Sequence, residues 1–296
     1  MMKQVISGCA AAALLFAVPV PASAADLWVT YAPVIHLTKG ESKRPANAGE
    51  FLQNSSLRWS HSGCPDHEIA GRGSVNAKTL GSGGYQHNST GKLCSHSGKK
   101  YSSNQNVRPH GELGAKEGMF LDLDNDKRGI GSVQAEVYFD YAKGSHVTYW
   151  LFYAYNDGAS VQNHEGDWER VSVRLDAGNK PITVAYFHHG KYCVQSYASA
   201  AKVGTHPVGY SALGTHATYQ KAGTFPTGFP GVNDNANGGG ELWETYKRPV
   251  QNVKSQPWYG YGGGWGEVGE LSDTSGPNGP SAFKSPVPPN WSSPAC

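Results

Sequence analysis

The sequence predicts an all-β protein with minor helix, a β-sandwich with long loops stapled by disulfides. Three observations predict it. Gly (38), Tyr (16) and Trp (8) are abundant and Met is scarce (3), which suits strands and turns better than packed helices. Short β-branched and aromatic runs recur between Gly, Pro, Asn and Asp turn signals. Cys64, Cys94, Cys193 and Cys296 form an even set with no CxxC spacing, which in an oxidising compartment implies two bridges.

The elements follow in order. Lys3, the apolar run at 9–20 that opens on Cys9, and the small-residue pattern Pro21-Ala22-Ser23-Ala24 read as a signal peptide over 1–24. Its removal leaves a single β-sandwich domain over 25–296. The run WVTYAPVIHL at 28–37 reads as a first strand, and 49–59 as a short helix or an irregular turn. Residues 60–108 are polar and Gly/Ser-rich, a long loop that a Cys64–Cys94 bridge would close. Strands are expected at 133–140, 147–155, 167–175, 182–187 and 208–213. Of these, 147–155 (VTYWLFYAY) is apolar throughout and reads as buried on both faces. Asn179-Lys180-Pro181 makes a turn. Past Thr224 Gly and Pro dominate, with Trp243, Trp258, Trp265 and Trp291 as anchors. A Cys193–Cys296 bridge would tie down the last residue, although four cysteines allow three connectivities.

Formal net charge is only +2 and no basic stripe occurs, which argues against a nucleic-acid partner. Beyond the leader no apolar stretch is long enough to cross a bilayer as a helix. Oligomeric state is not legible.

The chemistry concentrates at 149–169, YWLFYAYNDGASVQNHEGDWE. Strand parity places Asp167 and Glu169 on the face of Val171, Val173 and Leu175. Two adjacent inward carboxylates are costly unless Arg or Lys, a divalent metal or a shared proton neutralises them. Arg170 and Arg174 project the opposite way. A divalent cation is therefore expected, held by His164, Asp167 and Glu169 with Asn156 or Asp157. That oxygen-rich set with one imidazole suits Ca²⁺ or Mg²⁺, with Mn²⁺ a third choice. His188-His189-Gly190 and Gly214-Thr215-His216-Ala217 follow two strands and are placed like loop residues that ring a site. Asp122-x-Asp124-x-Asp126 has no Glu at the twelfth position of a calcium loop and reads as a polar turn.

Two resemblances follow from these residues. Tyr31-Ala32-Pro33-Val34 with Glu41 and Pro45, Tyr149-Trp150 through Tyr155-Asn156, Gly166-Asp167-Trp168-Glu169, His189-Gly190, Gly214-Thr215-His216-Ala217-x-Tyr219, Trp265-Gly266 and Gly276-Pro277-Asn278-Gly279-Pro280 together resemble the vacuolar protein sorting-associated protein 62 family. That family implies little chemistry. The shorter stretch at 149–169 is similar to the core of the necrosis- and ethylene-inducing-like proteins, secreted β-sandwich cytolysins that hold a divalent cation and recognise sphingolipid sugar headgroups. Their Gly-His-Arg-His-Asp-Trp-Glu signature stands here as Asn163-His164-Glu165-Gly166-Asp167-Trp168-Glu169. The resemblance implies metal ligands at His164, Asp167 and Glu169, with a further Asp of the family falling at Asn156 or Asp157.

The expected function is a secreted, toxin-like binding protein whose cation and nearby His188, His189, His216 and Tyr219 hold a sugar or lipid headgroup on a cell surface. The alternative is a metal-dependent hydrolase of a phosphoester or glycan, with His189 or His216 as general base.

Overall fold

A computed structural model describes residues 27–60, 66–88, 100–105, 118–158, 162–269 and 274–296, and every count below is among these described residues. The expected leader and the Cys64–Cys94 pairing lie outside them. The strands that position the site are β1 (Val34–Thr38), β2 (Ser55–Ser60), β3 (Gly118–Leu123), β4 (Val137–Ala142), β5 (His146–Asn156), β6 (His164–Leu175), β7 (Pro181–His188), β8 (Lys191–Ser196), β9 (His206–Ser211), β10 (Gly239–Glu244) and β11 (Val250–Asn252).

A six-stranded sheet in the order β8-β7-β6-β5-β4-β11 forms the centre. Its β5–β6 pair is the longest, with Asn156 opposite His164, Tyr153 opposite Asp167 and Leu151 opposite Glu169. Alternation along β5 sends Tyr149, Leu151 and Tyr153 to one face and Trp150, Phe152 and Ala154 to the other. The first face packs with Val171, Val173 and Leu175 of β6 against Ile35 and Leu37 of β1 and Trp243 of β10. The second packs with Trp168 against Leu57 and Trp59 of β2, Leu121 and Leu123 of β3, and Trp265. Each fully buried aliphatic or Phe side chain contributes roughly 1.5–3 kcal/mol, so a strand covered on both faces is the structural spine.

The mostly β, disulfide-containing architecture agrees with the expectation, and boundaries move where local chemistry demands. A helical turn at Leu27–Thr30, closed by Tyr31 N–H donating to Leu27 O, replaces the first half of the expected opening strand. Pairing starts only at Val34, past Pro33, which has no N–H to donate. The strand expected from 133 begins at Val137, because Ala135 N–H closes a turn onto Ser132 O. The short helix is Ala48–Gln53, followed directly by β2. The expected long loop carries a strand, His67–Ala70, and a helical turn, Ala77–Gly81, capped by the Asn76 side chain. Asn179 turns the chain at φ 63°, and its Oδ1 accepts from Gly144 N–H and Tyr141 O–H. Trp243, Trp258 and Trp265 are buried anchors, and Trp291 packs partly buried beside Phe187 and Val194.

Cys193 on β8 is bonded to Cys296. The last residues run parallel to β8 there, with Val194 N–H donating to Pro294 O and Cys296 N–H to Val194 O. Among the described residues no helix is long and apolar enough to cross a membrane.

Candidate functional site

Where β6 enters and β7 leaves the central sheet, their ends frame a cavity of about 370 Å³. Asn156, His164, Asp167 and Glu169 line it, as do His188 and His189. The C-terminal segment closes another side with Ser275, Pro277, Asn278 and Phe283. The sequence thus brings both predicted clusters to one place, and the structure sorts them by role.

Asp167 is buried, and its Oδ2 accepts from His216 Nδ1 at 2.9 Å. His216 is fully buried at φ 56°, stacked on Tyr153 at 3.8 Å between ring centres. Its Nε2 donates to Lys43 O at 3.0 Å, with Glu41 Oε2 3.8 Å away. With both nitrogens donating, His216 is an imidazolium. Burial alone would push it down, but the hydrogen bonds and charges of Asp167 and Glu41 outweigh burial and hold it up at about 9. Strand parity required something positive beside Asp167, and a histidine supplies it. His216 does not line the cavity, so its role is to position Asp167 rather than to meet ligand.

Glu169 is partly buried in the cavity wall, and its side chain makes no hydrogen bond or ion pair among the described residues. Burial, with Asp167 and Asp234 nearby, pushes its carboxyl well above the ordinary range. Gln162, also in the wall, is buried with Oε1 unpartnered. His164 faces Asn156 across the strand pair, and its Nδ1 donates to Gly166 O at 2.8 Å, which leaves the lone pair on Nε2. Asn156 is held by Gly158 N–H onto Oδ1 and by its own Nδ2 donating to Thr215 O. Asp157 is exposed, stands outside the cavity and lies 3.9 Å from Lys43 Nζ.

His189 adopts φ 47°, a strained value for a residue with a Cβ. Its Nε2 donates to Asp234 Oδ2 at 2.6 Å. Asp234 is buried and also accepts from Thr215 Oγ1 and Tyr219 O–H. Tyr219 stays out of the cavity and supports it, its ring stacked on His188 at 4.8 Å and on Phe225 at 4.0 Å. Burial and the neighbouring His189 push His188 below its ordinary value. Sequence reasoning missed Asp234, which sits in a short Asn- and Gly-rich stretch with no periodicity to mark it.

The donor chemistry of the cavity suits a hard divalent cation: a carboxylate without a protein partner, the free Oδ1 of Asp167, an amide oxygen and an imidazole with its lone pair exposed. The set is not drawn tight. Among the described residues, the group of three acidic or histidine side chains whose ligand atoms all lie within 4.8 Å is Asp122, Glu165 and Glu267 instead. An arginine serves that cluster: Arg128 reaches Glu165 at 3.0 Å and Glu267 at 3.5 Å. Burial still pushes Glu165 up to about 7. Asp124 is ion-paired with Arg72 and Asp126 with Lys127, and a turn follows at Asn125–Lys127, whereas Asp122 lies on β3 rather than in the polar turn expected.

No family model matches the chain, and neither does any curated protein, so the vacuolar protein sorting-associated resemblance finds no support there. Among solved structures, the chain is similar to necrosis and ethylene inducing protein 2 from the causal agent of cocoa's witches' broom disease, at 16% identity over 79% of this chain and 76% of that one, TM-score 0.35. It is similar to NLPPya in complex with mannosamine at 15% identity over 80% and 77%, TM-score 0.34. A third structure, described as a toxin fold for microbial attack and plant defense, aligns at 14% identity over 80% and 78%, TM-score 0.35. At these TM-scores the likenesses carry no argument about ligand or activity.

Proposed function

We propose that this protein is a secreted binding protein that holds a sugar headgroup of a target surface in the cavity at the head of β6, through a divalent cation, Ca²⁺ or Mg²⁺. One observation carries the reading: Glu169 lines the cavity beside Asp167, and its carboxyl has no hydrogen bond or ion pair from any described residue. Neighbouring acidic groups disfavour one another's charged forms, and a bound cation relieves that. His164 Nε2, Asp167 Oδ1, Glu169 and Asn156 Oδ1 would hold the cation, which supplies open coordination positions to hydroxyl groups when bound. His216 keeps Asp167 oriented from behind. The test is calorimetry with simple hexoses and amino sugars, with and without chelator. Binding should vanish on chelation, and Glu169→Gln should lower cation affinity at least about tenfold, as loss of a charged ligand predicts. Asp122→Asn should leave it unchanged. Sugar binding that survives chelation would refute the reading.

A second reading has one observation in its favour. His189 meets the cavity with Asp234 behind it, the arrangement of a general base and its orienting carboxylate. Hydrolysis of a phosphoester or glycan that disappears in His189→Ala would support it. His216 is unsuited to that role, since both its nitrogens are committed as donors.

A further inference from the structure

Outside the cavity, two histidines meet across the gap between two sheets. His67 opens the strand His67–Ala70, which pairs with β2 and sets His67 opposite Trp59. His87 lies in the short strand Gln86–Asn88, which pairs with Lys100–Ser102. The two strands belong to separate sheets. Trp59 anchors both rings. It stands opposite His67 in the strand pair, and the His87 ring lies flat on it, with ring centres 3.9 Å and planes 6° apart. His87 is buried and His67 exposed, so one ring is fixed and the other is open to solvent. Their nitrogens, His87 Nδ1 and His67 Nε2, are 3.2 Å apart. That separation suits a hydrogen bond, and it also suits a shared metal ion. Two nitrogens each about 2.0–2.1 Å from a tetrahedral zinc stand about 3.3–3.4 Å from one another. A straight N–H···N bond would add both ring radii to the distance between the nitrogens, yet the ring centres are only 4.8 Å apart, at 36°. At least one ring is therefore turned away from the line of a straight bond.

We propose that His67 Nε2 and His87 Nδ1 together bind a borderline divalent metal ion, Zn²⁺ first, with Ni²⁺ and Cu²⁺ as substitutes and water in the remaining positions. A neutral imidazole presents one lone pair, and a pair of imidazoles favours these ions over Ca²⁺ and Mg²⁺, which take oxygen ligands. His87 is already immobilised on Trp59, so little freedom is lost when it becomes a ligand. The exposed His67 side gives the ion its way in. The bound metal clips the strand His67–Ala70 to the hairpin that carries His87. Residues 60–108 are polar and Gly/Ser-rich, so the clip ties together parts of the chain that have few apolar side chains to hold them. The site is separate from the cavity and does not rest on the reading of it.

Calorimetric titration with zinc chloride, on tag-free protein stripped of metal, tests the site in wild type, His67→Ala, His87→Gln and Glu169→Gln. Wild type should take up a zinc ion whose affinity falls in His67→Ala and in His87→Gln by more than the factor of about ten that loss of an outer-shell partner already costs. Glu169→Gln, which alters the cavity, should leave that ion in place, so the two sites are read separately. A large excess of Mg²⁺ should not displace it. His67→Ala changes an exposed side chain, so it reports on binding even where His87→Gln, which removes a buried ring, fails to fold. Because metal that binds only the folded chain stabilises it, zinc should raise the melting temperature of wild type more than that of His67→Ala. Anomalous diffraction at the zinc edge should place the ion between the two rings. Zinc uptake that is the same in wild type and His67→Ala overturns the site. So does displacement by Mg²⁺, or loss of the ion in Glu169→Gln. Equal rises in melting temperature overturn the clip. Wild type that binds no zinc overturns the proposal and leaves the pair as a hydrogen bond only.

Discussion

With both ring nitrogens donating, one to Asp167 and one to the Lys43 carbonyl, His216 carries a charge inside a fully buried pocket. Its removal leaves Asp167 and Glu41 without their shared cation. His216→Gln should therefore cost about 3–5 kcal/mol in chemical denaturation, the scale for breaking a buried ion pair. His189→Gln should cost less than about 2 kcal/mol, because Asp234 keeps its bonds from Thr215 and Tyr219. Equal costs for the two variants would contradict the division between a positioning histidine and a cavity histidine. Asp234 gives a pH signature of its own. Burial would raise its carboxyl, but the bonds from His189, Thr215 and Tyr219 outweigh that and hold it below its ordinary value of 3.8. A folded value below the unfolded one means the stabilisation is complete above the unfolded value and is lost as pH falls through the folded value. The difference in unfolding free energy between wild type and Asp234→Asn should be widest near neutrality and narrow below about pH 4. A difference that does not change with pH would show that the carboxylate's charge plays no part.

At the scale of the element, β6 shows what sequence reading reaches and where it stops. Parity along Asp167, Glu169, Val171, Val173 and Leu175 was readable, because alternation in a strand depends on local geometry alone. For the same reason the doubly buried β5 was readable from its unbroken apolar run. What neutralises Asp167 was not, since His216 lies 49 residues away. Nor was the ring cage around Arg170, which draws Phe187 from the next strand and Phe283 from the C-terminal segment. The opening strand was misread because a helical turn and Pro33 interrupt a composition that is otherwise strand-like. Gly166 marks a departure from the motif it resembles, and the departure has a local cause. It adopts φ 58°, and a Cβ there would stand 2.0 Å from Trp265 O. Its own carbonyl accepts the His164 Nδ1 proton. Gly166→Ala should lose more than about 2 kcal/mol from backbone strain and the clash together. It should also weaken cation binding, because His164 would lose the bond that fixes its tautomer. A variant as stable as wild type would show that the backbone relaxes there without cost.

Across the whole molecule, the cavity depends on a part of the chain that belongs to no large sheet. Ser275, Pro277, Asn278 and Phe283 form one wall, and the segment that carries them is fastened at its far end by the Cys193–Cys296 bond. Between those points the attachments are light. Thr148 and Ser172 hydroxyls reach Pro286 O at 3.4 and 3.3 Å, and Trp291 packs partly buried beside Phe187 and Val194. The two aromatic cores, by contrast, are built around β5 and β6 and owe little to this segment. Cutting the bond should thus separate fold from function. The bond links residues 103 apart in sequence, and removing a disulfide typically costs about 2–5 kcal/mol, the upper end for so long a loop. Cys296→Ser should lower stability by that order and leave the far-UV signature of the β-sheets unchanged. Ligand affinity should fall as well, because Phe283 lies toward the bond, past the stretch that Trp265 N–H donating to Pro277 O and Ser281 Oγ donating to Tyr261 O hold in place. The comparison is direct: circular dichroism and thermal melts of Cys296→Ser beside calorimetry with simple hexoses and amino sugars. Collapse of the β signal would mean that the C-terminal segment belongs to the core. Unchanged affinity would mean that the wall is held without the bond.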